Sequence, residues 1–256
     1  MLDTVVIPCG GLGRRLQPIT RWVPKELLPV GLKPLLYWAL DEVADAGFMR
    51  AIIVTNPHKP MVEAAARQYQ GPIDLEFLPQ EQPRGLGDAL ARARDELAGS
   101  PFAVVFPDHI VAGRNAIQQV VDAHRATRRA AVLLAQVAPD DLVPHGSAGR
   151  AITSAGPDGT LQVTDIAEKG SARFEAAGEP VALRPVGRMV LPADVFKDVD
   201  DIARHLAPWA PFDNVPLLQR LAWRGDLVGT ITSGRFFDVA EPEGFRQAVV
   251  AFPSRV

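Results

Sequence analysis

TVVIPCGGLGRR, residues 4–15, carries an apolar, β-branched run straight into a glycine cluster and two arginines. Valine, isoleucine and threonine favour extended backbone because their branched side chains pack well on a pleated surface. Glycines directly after such a run permit positive φ and let backbone amides approach an anion with no Cβ in the way. In sheets of alternating strands and helices, ligands bind at the carboxyl ends of the strands. The stretch therefore reads as the first strand of an α/β fold, with an anion site at its exit. Taken alone, the loop also fits an ordinary tight strand exit with solvated arginines.

The runs at 51–55, 74–78 and 102–106 have the same strand character. Between the first two, Leu36, Ala39, Leu40 and Val43 share one face of a helix expected over 35–46, with Pro34 at its start and Gly47 as its stop. Strand, helix, strand alternation implies right-handed crossovers and a mostly parallel sheet covered on both faces. Residues 1–136 thus form a doubly wound core. After a strand at 130–137 the pattern turns polar and glycine-containing, with short strands near 161–167 and 186–191 that suggest a mixed-sheet far wall of a cleft. Helices at 215–222 and 242–252 flank a strand at 227–232. The 256 residues read as two lobes of one domain, with 137–256 as the second lobe.

With 47% of residues apolar, the chain can bury a substantial core. A formal charge of −3 gives no global basic field, which argues against nucleic acid or an anionic membrane as partner. Locally the balance inverts: residues 1–34 hold five basic side chains (Arg14, Arg15, Arg21, Lys25, Lys33) against Asp3 and Glu26. Cations beside a glycine loop suit a polyphosphate. No basic start with a long apolar run, and no span of about 18 apolar residues, is seen, so neither a leader nor a membrane span is expected. The single cysteine, Cys9, fits a reducing compartment, the cytoplasm by default, and with no partner it is expected to be a small buried residue. GxxxxGK[ST] does not occur, and Leu16 stands where the dinucleotide fingerprint needs its third glycine.

The stretch GGLGRRLQPITRWVPKELLPVGLKPLLYWAL, residues 10–40, resembles the signature of the sugar-1-phosphate nucleotidylyltransferases. VPKELLPVGLKP, RGLGDAL and FPDHI are most similar to the bacterial UTP-glucose-1-phosphate uridylyltransferases within that family, and the likeness runs in order to Phe245. It implies a Rossmann-like α/β/α fold with a mostly parallel sheet and a smaller β-rich sugar-binding portion. The implied reaction joins a nucleoside monophosphate from a triphosphate, UTP foremost, to a sugar 1-phosphate, glucose 1-phosphate foremost, and releases pyrophosphate.

By matched position, the resemblance makes Gly10, Gly11 and Gly13 the nucleotide loop, and Arg15 and Lys25 the cations on triphosphate and pyrophosphate. Gln80 becomes the base-reading amide and Gly85 the glycine that lets backbone approach the base. Asp108 ends the run FAVVFPD at the same sheet edge as the glycine loop, where a carboxylate suits a metal; Asp238 matches the family's second metal aspartate, and the implied cofactor is Mg2+. Glu168 and Lys169 match the motif that holds sugar hydroxyls and sugar phosphate, and Gly146 and Gly187 match glycines against which the sugar lies. The family commonly forms dimers or tetramers, so a homo-oligomer is implied, with the apolar C-terminal helix available for the contact.

Several positions depart from the pattern. Arg14 replaces a threonine in the loop, Gly170 follows Glu168 and Lys169 in place of proline, 212–217 replaces the usual helix start, and Val239 and Ala240 follow Asp238 without the usual glycine. Tyr69 precedes Gln80 by only eleven positions, so the helical insertion of the glucose enzymes is missing. A dTTP- or CTP-dependent transferase for another phosphorylated acceptor, and a catalytically silent nucleotide-binding paralogue, remain open at this point. His109 and His145 read as local hydrogen-bonding residues, and Trp22, Trp38, Trp209 and Trp223 as core or interface side chains.

Overall fold

The computed structural model describes residues 2–97, 99–137, 149–156, 158–168, 181–207 and 209–253. From the N-terminus, β1 (Thr4–Cys9) leaves through the glycine loop to a small hairpin, β2 (Pro29–Val30) and β3 (Lys33–Pro34), which leads into α1 (Leu35–Asp45). The alternation continues through β4 (Arg50–Thr55), α2 (Pro60–Ala66), β5 (Asp74–Pro79), α3 (Leu86–Ala93) and β6 (Phe102–Val105). Next come β7 (His109–Val111), α4 (Ala116–Thr127), β8 (Ala130–Val137), β9 (Arg150–Ala155) and β10 (Leu161–Ala167). The chain ends with β11 (Ala182–Leu191), α5 (Val195–His205), α6 (Val215–Trp223), β12 (Leu227–Ile231), β13 (Phe236–Asp238) and α7 (Pro242–Ala251).

The main sheet has the order β5-β4-β1-β6-β11-β8-β12-β10-β9. β5, β4, β1 and β6 are parallel neighbours, β12 is parallel to β8, and β11 and β10 run against the rest. This is the expected mostly parallel α/β/α arrangement. Side-chain alternation along β1 shows why both faces are covered. Val5 and Ile7 enter a core with Leu36 and Leu40 of α1 and Ile117 and Val120 of α4, whereas Val6 enters the opposite core with Leu90 of α3 and Leu221 of α6. Gly47, at φ 81, closes α1 as a left-handed residue, and Phe48 N–H returns to the Val43 carbonyl.

Two segments differ from the sequence expectation. β9 and β10 do occupy a far edge of the sheet, but β11 lies between β6 and β8 in its centre, so strands from both sides of residue 136 share one sheet. The cause is that the strand is ten residues long and buried on both faces, its two arginines included, which suits a central position. α5 is a helix not anticipated from the sequence. Its buried Val195 and Val199 are spaced four apart among acidic residues, and Asp198 is drawn inward by Arg220 of α6 and by Arg224 just after it. No helix among the described residues is long and apolar enough to cross a membrane.

Candidate active site

One cleft runs along the carboxyl edge of the parallel strands, lined by Gln80 after β5, Gly10 and Gly11 after β1, Asp108 after β6 and Arg184 of β11. Asp238 joins them from far along the chain. β13 pairs antiparallel with β7, setting Asp238 opposite His109, and Val239 N–H donates to the Asp108 carbonyl at 2.8 Å. Two three-residue strands thereby bring both predicted metal acids into one cleft.

The glycine loop is held from below. Gly13 sits at φ 62, a left-handed conformation that glycine adopts without steric cost, and its carbonyl accepts from Thr20 Oγ1 at 2.7 Å. Lys59 Nζ donates to the carbonyls of Cys9 at 2.8 Å and Gly11 at 2.7 Å, and to Glu26 Oε2 at 2.8 Å. Glu26 is fully buried; burial raises its carboxyl above the ordinary value, against the pull of Lys25 and Lys59. Cys9 is buried as expected, and desolvation pushes its thiol well up, leaving it a packing group.

Each cation of the cleft faces an acid. Arg15 pairs with Glu241, Lys25 with Asp108, and Arg184 with Asp238 at 2.6 Å. Burial alone would lower the Lys25 ammonium and raise the Asp108 carboxyl; their mutual attraction outweighs it, so both are charged. Burial likewise opposes ionisation of Asp238, and the neighbouring His109 and Arg184 lower it. Burial brings His109 itself down to about 4, so at neutral pH Arg184 is the charged partner of Asp238. His109 Nδ1 accepts from Gly187 N–H at 2.7 Å, which places its proton on Nε2, 3.7 Å from Asp238 Oδ1.

The base-reading candidate is fixed in orientation by its neighbours. Gln80 Nε2 donates to the Gly85 carbonyl at 3.0 Å and to Asp88 Oδ2 at 2.8 Å. Both partners are acceptors, so the amide nitrogen belongs there and Oε1 is turned to Gly10, where a Cβ would overlap it. What Gln80 offers the cleft is an acceptor, which matches an imide N–H. Gly85, at φ 93, precedes α3, and a Cβ on it would overlap the Phe212 carbonyl. Its glycine requirement is thus met by packing on 212–213 as well as by the backbone turn.

Of the sugar-side candidates, Glu168 is exposed just beyond β10. Gly187 is buried against Phe106, whose ring a Cβ would overlap. Lys169 and Gly146 lie outside the described residues. Sequence reasoning missed Lys59, Asp88, Arg184 and Glu241. Nothing local marks Lys59 or Arg184, but Glu241 stands next to the helix-starting Pro242 three residues after Asp238, a position that invites inspection.

The donor set suits a hard divalent cation. Mg2+ usually takes one or two protein carboxylates and completes its shell with phosphate oxygens and water. Lys25 and Arg184 bond to Oδ2 of Asp108 and Asp238, leaving Oδ1 of each acid outside those ion pairs. Among the described residues no group of three or more His, Cys, Asp or Glu side chains forms a closed metal cage.

Known proteins share this architecture. A family model described as nucleotidyl transferase matches residues 4–176. The chain is 26% identical to a UTP--glucose-1-phosphate uridylyltransferase of Klebsiella pneumoniae, covering 98% of this chain and 92% of that one. It is 27% identical to the Pseudomonas aeruginosa protein of the same name, over 97% and 95%. A crystal structure of UDP-glucose pyrophosphorylase complexed with UDP-glucose superposes with a TM-score of 0.84 at 22% identity, covering 98% of each chain. A UTP-bound enzyme of this kind from Acinetobacter baumannii gives 0.81 at 23%, over 98% of this chain and 93% of that one.

Proposed function

Because the chain belongs to the nucleotidyl transferase family, we propose that it transfers the uridylyl group of UTP to glucose 1-phosphate, giving UDP-glucose and pyrophosphate. The observation that carries this reading is the meeting of Asp108, Asp238, Lys25 and the glycine loop in one cleft whose far end presents the Gln80 acceptor. Uracil N3–H is the donor that this acceptor matches, and thymine shares it, so dTTP is the nearest competitor. The names of the similar uridylyltransferases favour UTP.

A phosphate oxygen of the sugar phosphate attacks the α-phosphorus, and the bond from that phosphorus to the pyrophosphate oxygen breaks. The attacking group is already ionised near neutral pH, so no general base is needed and positioning does most of the work. Arg15 and Lys25 stabilise the charge on the departing pyrophosphate. Glu168 accepts from sugar hydroxyls, Gly146 and Gly187 flank the sugar, and Lys169 orients its phosphate. Asp108 and Asp238 hold Mg2+, which when bound supplies positive charge to the phosphate oxygens. The lone buried thiol of Cys9 suits the reducing cytoplasm, and exposed Val249 and Val250 of α7 suit a homo-oligomer.

The test is a competition panel: pyrophosphate release from UTP, dTTP, CTP, GTP and ATP against several sugar 1-phosphates, with Mg2+ or chelator. Preference for UTP with glucose 1-phosphate is expected. A preference for CTP would remove the Gln80 assignment, and indifference to the sugar phosphate would remove the acceptor.

A further inference from the structure

β11 carries two buried arginines four residues apart, and the protein satisfies them very differently. Arg188 donates from Nε and Nη2 to Glu42, from Nη1 to the carbonyls of Phe106 and Gly187, and from Nη2 to the His109 carbonyl. Every nitrogen of that guanidinium has an acceptor, as expected of an arginine buried for structure. Arg184 is as deeply placed, 3% exposed, yet among the described residues it makes one hydrogen bond, from Nη2 to Asp238, and lies over the Phe236 ring. Its Nε and Nη1 are shielded from solvent and have no acceptor among the described residues. Unmatched donors on a buried cation are costly, and a fold that matches Arg188 completely does not leave Arg184 half-matched for packing alone.

Its location points to what the missing acceptor is. Arg184 lines the cleft on the side of Asp108 away from the glycine loop, because β11 follows β6 in the sheet while β1 precedes it. Arg15 and Lys25 serve the glycine-loop side. A dianionic acceptor placed beside a triphosphate needs positive charge on its own side, and among the described cleft-lining residues Arg184 is the cation that stands there. We propose that Arg184 binds the phosphate group of the acceptor, with Asp238 holding the guanidinium in place, and so selects for a phosphorylated acceptor. This deepens the nucleotidyl-transfer reading and rests on it for the identity of the acceptor, but the anion site itself does not depend on turnover.

Calorimetry on the full chain, without nucleotide or added metal, tests it with two probes, inorganic phosphate and glucose 1-phosphate. Arg184→Met is expected to weaken both by about tenfold, as loss of a charge-assisted phosphate contact should. Arg184→Lys, which keeps the charge and the pair with Asp238 but loses the planar donor set, is expected to weaken them by about threefold and covers the case in which the methionine variant does not fold. In turnover, the KM for glucose 1-phosphate should rise while that for UTP stays within about twofold. Unchanged phosphate binding in a folded variant would overturn the proposal, leaving Arg184 a counter-ion of Asp238. If phosphate binding depends on Arg184 but glucose 1-phosphate is neither bound nor used, the anion site stands and the choice of acceptor fails instead.

Discussion

The backbone N–H of Val239 donates to the carbonyl oxygen of Asp108 at 2.8 Å. Through that bond and the pairing of β7 with β13, two acids from distant parts of the chain face one cleft. Each is already neutralised, Asp108 by Lys25 and Asp238 by Arg184. Each acid of the cleft thus has its own counter-charge within the fold, which holds both side chains in position.

Replacing Asp108 by asparagine leaves Lys25 buried without its counter-charge. Turnover should fall by about a hundredfold or more, and stability by about 3 kcal/mol. Chemical denaturation and steady-state rates check both. The double variant Asp108→Asn, Lys25→Met should recover much of the stability and none of the activity; recovery of activity would mean that neither group takes part in transfer.

Lys59→Met removes the donor shared by the Cys9 and Gly11 carbonyls and leaves Glu26 buried and unpaired. A loss of about 3 kcal/mol is expected, together with a raised KM for the nucleotide because the loop is no longer tethered. The variant Lys59→Met, Glu26→Gln separates the two effects: stability should largely return while the nucleotide KM stays high.

Gly10→Ala would push a methyl group into Gln80 Oε1. The fold should survive, since a side-chain tip can swing, but the Gln80 acceptor proposed to read the base would be displaced. The KM for UTP should rise about tenfold, the worth of one hydrogen bond, with the melting temperature nearly unchanged. A large drop in melting temperature instead would place Gly10 among the structural glycines, as Gly85 is by its φ of 93 and its contact with Phe212.

Burial holds His109 at about 4 against an ordinary 6.5. The unfolded chain therefore binds more protons between those values, so stability falls as pH drops from 6.5 to 4, by about 3 kcal/mol for this residue. Asp108 and Asp238, held below the usual carboxylate range by Lys25, His109 and Arg184, lose their contribution only at lower pH. Denaturation of the metal-free protein across pH 7 to 4 should show the first slope, and His109→Gln should flatten it.

Much of this was legible in the sequence. β1, the glycine loop and α1 declare themselves by local pattern: an apolar run, clustered glycines, and apolar positions three and four apart ended by Gly47. Asp108 was legible because a carboxylate closing an apolar strand lies at the ligand-binding edge of the sheet. The β7–β13 pairing was not. Strands of three residues are too short for alternation to register, and Asp238 was reachable only through family resemblance. Arg184 and Lys59 were invisible for another reason. A single charge inside an apolar run, or at the start of a short helix, gains its meaning from what the tertiary fold sets across from it.

Uridylyl transfer is tested by incubating the protein with UTP, glucose 1-phosphate and Mg2+ and following both products, the sugar nucleotide by mass spectrometry and pyrophosphate by a coupled assay. UDP-glucose and pyrophosphate should form in equal amounts, and their formation should be abolished by omitting the sugar phosphate, by chelator, or by Asp108→Asn. Pyrophosphate without a sugar nucleotide, or UTP binding with no product from any sugar 1-phosphate, would contradict it.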